Sequence, residues 1–451
     1  MLRKLSMLLA VIVVFSLLFA ACAPTTIQNT ETTAANKDSQ TQASQSKAGE
    51  TTSAAKTQIH WMQHWITEQG PDKINEVKKD FEAKNPSIEL IFDDIPFVQQ
   101  HDKVLALHMA GTTPDIFTVT GAWITEFADA GIIDPLDDYI KKLPQDFKDA
   151  LQGPMFLPWK GKIYGMPVTN GNTALFYNKK ILAEANVQPP TTWDEFILAC
   201  KKVTDVNKSR YALTGNIVAD PPTALSYEVF PFILQAGGKI IENSRAAFNT
   251  AEGVKALELF KALIKEYKVT TPGELNAGEK EKRANFSAGN VAFMFEGPWG
   301  VAIQKKANPD LEFSVVPLPK GKVTGTIVQG SCLGISSKAK NKDAAWKFLE
   351  YMGSADGQLL WDKATNFFPY NKVTMQDEFF KNDQYLKVFI DQHNNNENNQ
   401  VIDNFLPQAV DLRRQFTNEV QNFLTGKKTA QKALDDAAAY WNAAFEKAGI
   451  K

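Results

Sequence analysis

Hydrophobic and polar positions divide the 451-residue chain into three regimes. Met7–Ala20 is an unbroken run of apolar and small residues behind Arg3 and Lys4. That is the length of a secretory leader and falls short of the roughly 20 residues a membrane span needs. Residues 23–57 are rich in Thr, Ser, Ala and Gln, with one Ile and no aromatic. Such a stretch buries too little apolar surface to offset the entropy of ordering, so a disordered tether is expected there. From Gln58 onward, apolar residues recur with the periods of strands and helices in turn.

Gln58–Met62 predicts a short strand. Pro71–Lys84 predicts a helix: Ile74, Val77 and Phe81 share a face, Pro71 opens it and Pro86 stops it. Ile88–Phe92 predicts a strand, Val98–Met109 a helix and Asp115–Val119 a third strand. Strands alternating with helices predict a parallel sheet covered by helices. Ligands of such folds sit beyond the carboxyl ends of the strands, which points to Gln63–Trp65 and Thr118–Trp123. The C-terminal third predicts helices over Lys342–Tyr351, Ala409–Leu424 and Thr429–Lys447. The Asn-rich stretch His393–Gln400 predicts a surface loop. The chain carries no repeat of fixed period, which argues against a solenoid.

Composition narrows the function classes. A hydrophobic content of 44 % supports a real core, and the length after Cys22 suits two or three domains. A net charge of -2 gives no bulk electrostatic case for nucleic-acid binding. Cys22 stands just after the small pair Ala20-Ala21; Cys200 and Cys332 are far apart and read as small buried residues. The five histidines show no HExxH spacing, and no phosphate loop, dinucleotide fingerprint or GxSxG elbow occurs. No metal and no cofactor are expected. Carboxylates are plentiful, so a glycosidase pair stays open on counting alone.

The leader resembles the bacterial lipoprotein signal, with Phe19 where that signal more often has Leu. That resemblance implies a signal peptide over 1–21 and lipid attachment at Cys22, with the anchor and tether running over 22–57. Further along, 110–140 (AGTTPDIFTVTGAWITEFADAGIIDPLDDYI), 164–182 (YGMPVTNGNTALFYNKKIL), 189–196 (PPTTWDEF), 293–303 (FMFEGPWGVAI), 315–319 (VVPLP) and 344–361 (AAWKFLEYMGSADGQLLW) occur in order. Together they resemble the extracellular solute-binding proteins of ABC sugar importers, the family that includes maltose-binding protein. The resemblance covers essentially all of 58–451. It implies an α/β, two-lobe periplasmic-binding-protein-like fold of type II, with a hinge between the lobes and a sugar in the cleft. Lobe one is expected over 58–169 plus 327–366, and lobe two over 170–326 plus 367–451.

Sugars present flat C–H faces and a rim of hydroxyls, so their sites need aromatic rings and polar side chains. Trp299 and Tyr227 match family contact positions. Asn172 lies close to one, while Gly171 stands where the family has a carboxylate, which leaves maltose itself in doubt. Trp65 is expected to end the first strand facing the cleft. Trp123 follows the third strand and can face the cleft or cap the next helix. Asn366 and Phe367 lie at the last crossing between lobes. Trp193 and Trp346 read as core, and Asp115 as structural. The expected cleft segments are poor in Arg, which disfavours a phosphate.

The expected function is a lipid-anchored, extracellular or periplasmic receptor that performs no chemistry. It would be a monomer that takes a mono- or oligosaccharide to a membrane permease and binds no nucleic acid. The alternatives are a receptor for a non-sugar solute such as a glycerol phosphate or polyamine, and a secreted polysaccharide hydrolase.

Overall fold

A computed structural model describes residues 55–450, apart from 152, 154–155, 157, 220–224 and 403–405. The leader, Cys22 and the tether through residue 54 lie outside the described residues. The strands are β1 (Thr57–Gln63), β2 (Ile88–Asp94), β3 (Ile116–Thr120), β4 (Met166–Asn172), β5 (Ala174–Asn178), β6 (Tyr211–Leu213), β7 (Ile241–Glu242), β8 (Arg245–Ala246), β9 (Val291–Glu296), β10 (Phe313–Val316), β11 (Gly325–Ile335) and β12 (Asn398–Val401). Four helices surround the first three strands: α1 (Trp65–Gln69), α2 (Pro71–Lys84), α3 (Phe97–Ala110) and α4 (Gly121–Asp129).

One sheet runs β12-β11-β3-β1-β2, with β4 also on β11. The β1/β2 and β1/β3 pairs are parallel, as the strand–helix alternation predicts. Both β3 and β4 pair antiparallel with β11, so the sheet is mixed rather than wholly parallel. A second sheet, β10-β5-β9-β6, combines two antiparallel pairs with the parallel pair β6/β9. The turn between β4 and β5 carries the chain from one sheet to the other, and β11 brings it back. At Gly330 on β11 a Cβ would stand 2.1 Å from the Thr169 carbonyl and 2.3 Å from the Tyr370 hydroxyl. Only glycine lets the two strands and Tyr370 come this close.

Periodicity explains the helices. Ile74, Val77 and Phe81 of α2 are fully buried, and the Phe81 ring meets Phe348 at 5.0 Å. Burying each such side chain contributes roughly 1.5–3 kcal/mol. The helix Trp193–Val203 opens with a capping box, in which Thr192 accepts from the Glu195 N–H and Glu195 reaches back. Phe176, Phe286, Phe313 and Phe389 fill the core beside the second sheet. Phe248, Phe416 and Trp441 lock Ala409–Leu424 and Ala430–Lys447 together.

Several sequence expectations meet the packing directly. Trp193 is buried and donates to Gln235 at 2.7 Å; Trp346 stacks on Tyr139 at 4.9 Å. Asp115 accepts from the backbone N–H groups of His60 and Lys340, a structural role. Cys200 and Cys332 are both buried and free.

The Asn-rich stretch is not a loop. It finishes the helix Leu386–Asn395 and then forms β12 on β11. The amide side chains act as staples. Asn398 Nδ2 donates to the Leu234 and Gly238 carbonyls, both at 2.8 Å, and Asn399 Oδ1 accepts from the Thr326 N–H at 3.2 Å. Asparagine marks turns because it bonds to nearby backbone; Asn399 Nδ2 does so to the His393 carbonyl at 2.9 Å, but the other bonds here reach backbone more than 70 residues away.

Candidate functional site

β1 and β3 end at Gln63 and Thr120, and a cavity of about 100 Å³ lies beyond their carboxyl ends. His64, Thr120 and Ala122 line it from the first sheet, and Tyr227, Glu279, Arg283 and Trp299 from the second. Gln329, Gly330 and Ser331 of β11 form its floor, and Phe367 completes the wall. Two bonds tie its sides together. Lys306 Nζ donates to the Thr67 carbonyl of α1 at 3.0 Å, and Thr125 Oγ1 of α4 donates to the Leu406 carbonyl at 2.7 Å.

Three aromatic rings form one wall. Trp299 lies 5.2 Å from Phe367 with the planes 31° apart, and Tyr227 meets Trp299 edge-on at 6.1 Å. Trp299 stands in the tight turn Glu296-Gly297-Pro298 that joins β9 to the helix Gly300–Ala307. A Cβ on Gly297 would fall 2.2 Å from the Trp299 ring, and one on Gly171 3.1 Å. These two glycines seat the indole. Tyr227 lies in a π-helical turn, Leu225–Val229, a strained form often found at functional sites.

Beside these rings lies charge that is largely paired. Arg283 donates through Nη2 to Glu279 at 2.7 Å and through Nε to Glu296 at 2.9 Å. Lys282, fully buried, donates to the Phe295 carbonyl at 2.7 Å. Its ammonium is 3.7 Å from Glu228, 3.6 Å from Glu296 and 4.4 Å from the centre of the Tyr227 ring. Burial would raise Glu296, but Arg283 and Lys282 outweigh it and hold that carboxyl at about 2. Burial pushes Glu228 up to about 8 against the pull of Lys282. It also raises Glu279 and Glu68, each opposed by Arg283. The imidazole of His64, buried and bonded to Gln100 at 3.0 Å, is pushed down to about 4 by that burial. No group of three or more His, Cys, Asp or Glu among the described residues could hold a metal ion.

The expected site residues divide. Tyr227, Trp299 and Phe367 come together on the cavity wall. Trp123 lines an adjoining groove and stacks on Phe97 at 5.4 Å. Three fall elsewhere. Trp65 opens α1 instead of ending β1 and is 1 % exposed, packed on Trp61 and edge-on to Trp361 at 4.7 Å. Asn172 is fully buried; it donates to the Phe389 carbonyl and accepts from Gln392, both at 2.9 Å. Asn366, at φ 62°, ends the helix Ala355–Thr365 in the left-handed conformation that asparagine tolerates. The expectation of an Arg-poor cleft is also corrected, because Arg283 and Arg413 both line the cavity.

Comparison with known proteins bears on this geometry. The family model described as bacterial extracellular solute-binding protein matches residues 76–388. The chain belongs to this family. The extracellular solute-binding protein is 27 % identical over 322 residues to the maltotriose-binding protein of Pyrococcus abyssi, covering 69 % of this chain and 66 % of that one. It is 24 % identical over 382 residues to the galactooligosaccharide-binding protein of Bacillus subtilis, covering 83 % and 87 %. Among solved structures, an ABC transporter solute-binding protein of Thermotoga lettingae bound with alpha-D-tagatose matches with a TM-score of 0.76 and 27 % identity, over 86 % of this chain and 99 % of that one. These relatives are binding proteins rather than enzymes. The two-lobe architecture expected from the sequence is the fold of these structures.

Sequence reasoning missed His64, Glu68, Glu279, Arg283 and Arg413. Glu279 and Arg283 stand four apart in GEKEKRANF, a spacing that reads as a solvated helix face. The burial that turns the pair inward comes from packing between the sheets and leaves no mark in that run.

Proposed function

We propose that this solute-binding protein is the lipid-anchored extracellular receptor of an ABC importer, that it takes a neutral sugar into the cavity between the two sheets, and that it releases the sugar unchanged. The observation that carries the reading is the pairing of an aromatic wall, Trp299 with Phe367 and Tyr227, with an arginine already matched by two carboxylates. The rings offer faces to C–H surfaces. Arg283, with its charge answered by Glu279 and Glu296, keeps N–H groups for hydroxyls. The sugar-binding names of the relatives support the same ligand class.

The lobes follow the chain crossings, with 58–169 plus 327–366 against 170–326 plus 367–451. Packing of Phe389 against Phe176 supports placing the last segment with the second sheet. Closure of the lobes on ligand would present the bound form to a permease. The anchor reading rests on the leader and Cys22. Calorimetry against neutral sugars tests the ligand class, and chromatography of the recovered sugar tests the absence of chemistry. Shorter products appearing in proportion to protein would point to a hydrolase. For the anchor, Cys22→Ser should move the protein from the membrane fraction to the soluble one or leave it unprocessed.

A further inference from the structure

α1 is a short arm fixed to the first sheet. Trp65 is buried at its start, Gln63 Oε1 accepts from the Ile66 N–H at 3.1 Å, and the Asp94 carboxylate at the end of β2 accepts from the Thr67 hydroxyl. The tip of the arm meets helices that belong with the second sheet. The Thr67 carbonyl accepts from Lys306 in the last turn of the helix Gly300–Ala307. Glu68, the next residue, lines the cavity with Glu279 and Arg283 of the helix Glu279–Ser287 and is half-buried there.

The setting is a poor one for a carboxylate. Glu296 of β9, Glu279 and Asp94 face Glu68 with the same sign of charge. Arg283 and Lys306 face it with the opposite sign, but Arg283 already donates to Glu279 and Glu296, and Lys306 to the Thr67 carbonyl. Loss of water and like charge both favour the neutral acid over the carboxylate. The rest of the ionisable lining is His64, Tyr227 and Arg413. Burial lowers His64 to about 4 and raises Tyr227, so both stay neutral between about pH 5 and pH 7.

We infer that the closed cleft binds a proton together with its sugar: closure carries Glu68 from water into the company of Glu279 and Glu296, its carboxylate takes a proton from solvent, and the sugar is held more tightly as pH falls below neutral. This rests on the closure and the carbohydrate reading above and adds to them regulation of that site by acid. When the sheets part, α1 leaves with the first sheet and Glu68 returns to water. Glu279, Arg283 and Glu296 stay bonded to one another on the other side, so of these carboxyl groups Glu68 changes its surroundings most. The sign follows from linkage. In water the Glu68 carboxyl keeps its ordinary value of 4.5, and in the closed cleft it is raised. Between the two values the closed form holds more protons, so closure gains stability as pH falls through that interval.

The test uses the whole protein and the tightest binder from a panel of neutral glucose and galactose saccharides. Its affinity by calorimetry should rise about threefold or more from about pH 7 to about pH 5, and titrations in two buffers of different ionisation enthalpy should show proton uptake on binding. Glu68→Gln keeps the shape of the side chain and removes its charge. It should bind at about pH 7 as tightly as the wild type does at about pH 5, with no proton uptake and with a thermal melt no lower than that of the wild type. A wild-type affinity that is flat, or that falls towards pH 5, would overturn the inference and leave the carbohydrate reading standing; the falling curve is the one a carboxylate bonded directly to the sugar would give. The same pH slope and proton uptake in Glu68→Gln would also overturn it. No heat with any member of the panel would remove both readings.

Discussion

The Trp299 indole lies 5.2 Å from the Phe367 ring, which joins the turn after β9 to the second residue beyond the helix Ala355–Thr365. The two residues are 68 positions apart in the chain and meet only because the sheets close around one cavity. Removing the indole should strip the site of its largest stacking face. Trp299→Ala should weaken binding of a sugar that the wild type takes up by about 5- to 150-fold, equivalent to roughly 1–3 kcal/mol. Calorimetry reads the loss, and unchanged far-ultraviolet circular dichroism separates it from unfolding.

Gly297 makes a related prediction. A methyl group there would enter the space of the Trp299 ring. Gly297→Ala should displace the indole, shift the tryptophan fluorescence of the free protein and reduce affinity about as far as Trp299→Ala. Wild-type fluorescence together with wild-type affinity would show that the glycine does not seat the ring.

Asn172 should behave in the opposite way. Its amide bridges the Phe389 carbonyl and Gln392 in the interior. Asn172→Ala should lower unfolding stability by about 1–3 kcal/mol, the cost of leaving buried polar partners unmatched. Chemical denaturation measures this. The fraction that remains folded should bind ligand with wild-type affinity.

The buried imidazole of His64 gives a pH dependence with a definite sign. Burial lowers it from 6.5 to about 4, so between these values the unfolded chain holds more protons than the folded one. Stability should therefore rise as pH goes from about 4 to 6.5, and should be lost as pH falls, at up to roughly 1.4 kcal/mol per pH unit from this group. His64→Gln should flatten the wild-type curve of melting temperature in that window alone. Parallel curves for the two proteins would remove His64 as the cause.

Much of the fold was legible because local pattern and packing agree. α2 runs from Pro71 to Lys84, the limits its proline signals and apolar face predict, and the helix Ala409–Leu424 likewise follows its own period. Failures came where long-range partners reassign a residue. Trp65 looked like a strand-end aromatic, yet the next few residues wind into α1 and turn the indole onto Trp61 and Trp361. The asparagines of β12 read as turn formers, yet the Asn398 amide meets the distant backbone carbonyls of Leu234 and Gly238.

Within the site, aromatic residues were easier to find than charged ones. Trp299 stands out in Glu296-Gly297-Pro298-Trp299 because glycine and proline force a turn and leave the ring projecting from it. Glu279 and Arg283 carry no such mark. Their role depends on Glu296 lying opposite on β9 to complete the charge balance.

The most direct test of the account is isothermal titration calorimetry of the protein against matched panels of neutral saccharides and anionic sugar phosphates, with the ligand recovered and analysed afterwards. The account predicts saturable heat with at least one neutral saccharide, at least tenfold weaker or absent binding of its phosphorylated counterpart (about 1.4 kcal/mol or more), and recovery of the sugar intact. Preferential binding of a sugar phosphate, or cleavage of the bound saccharide, would contradict it.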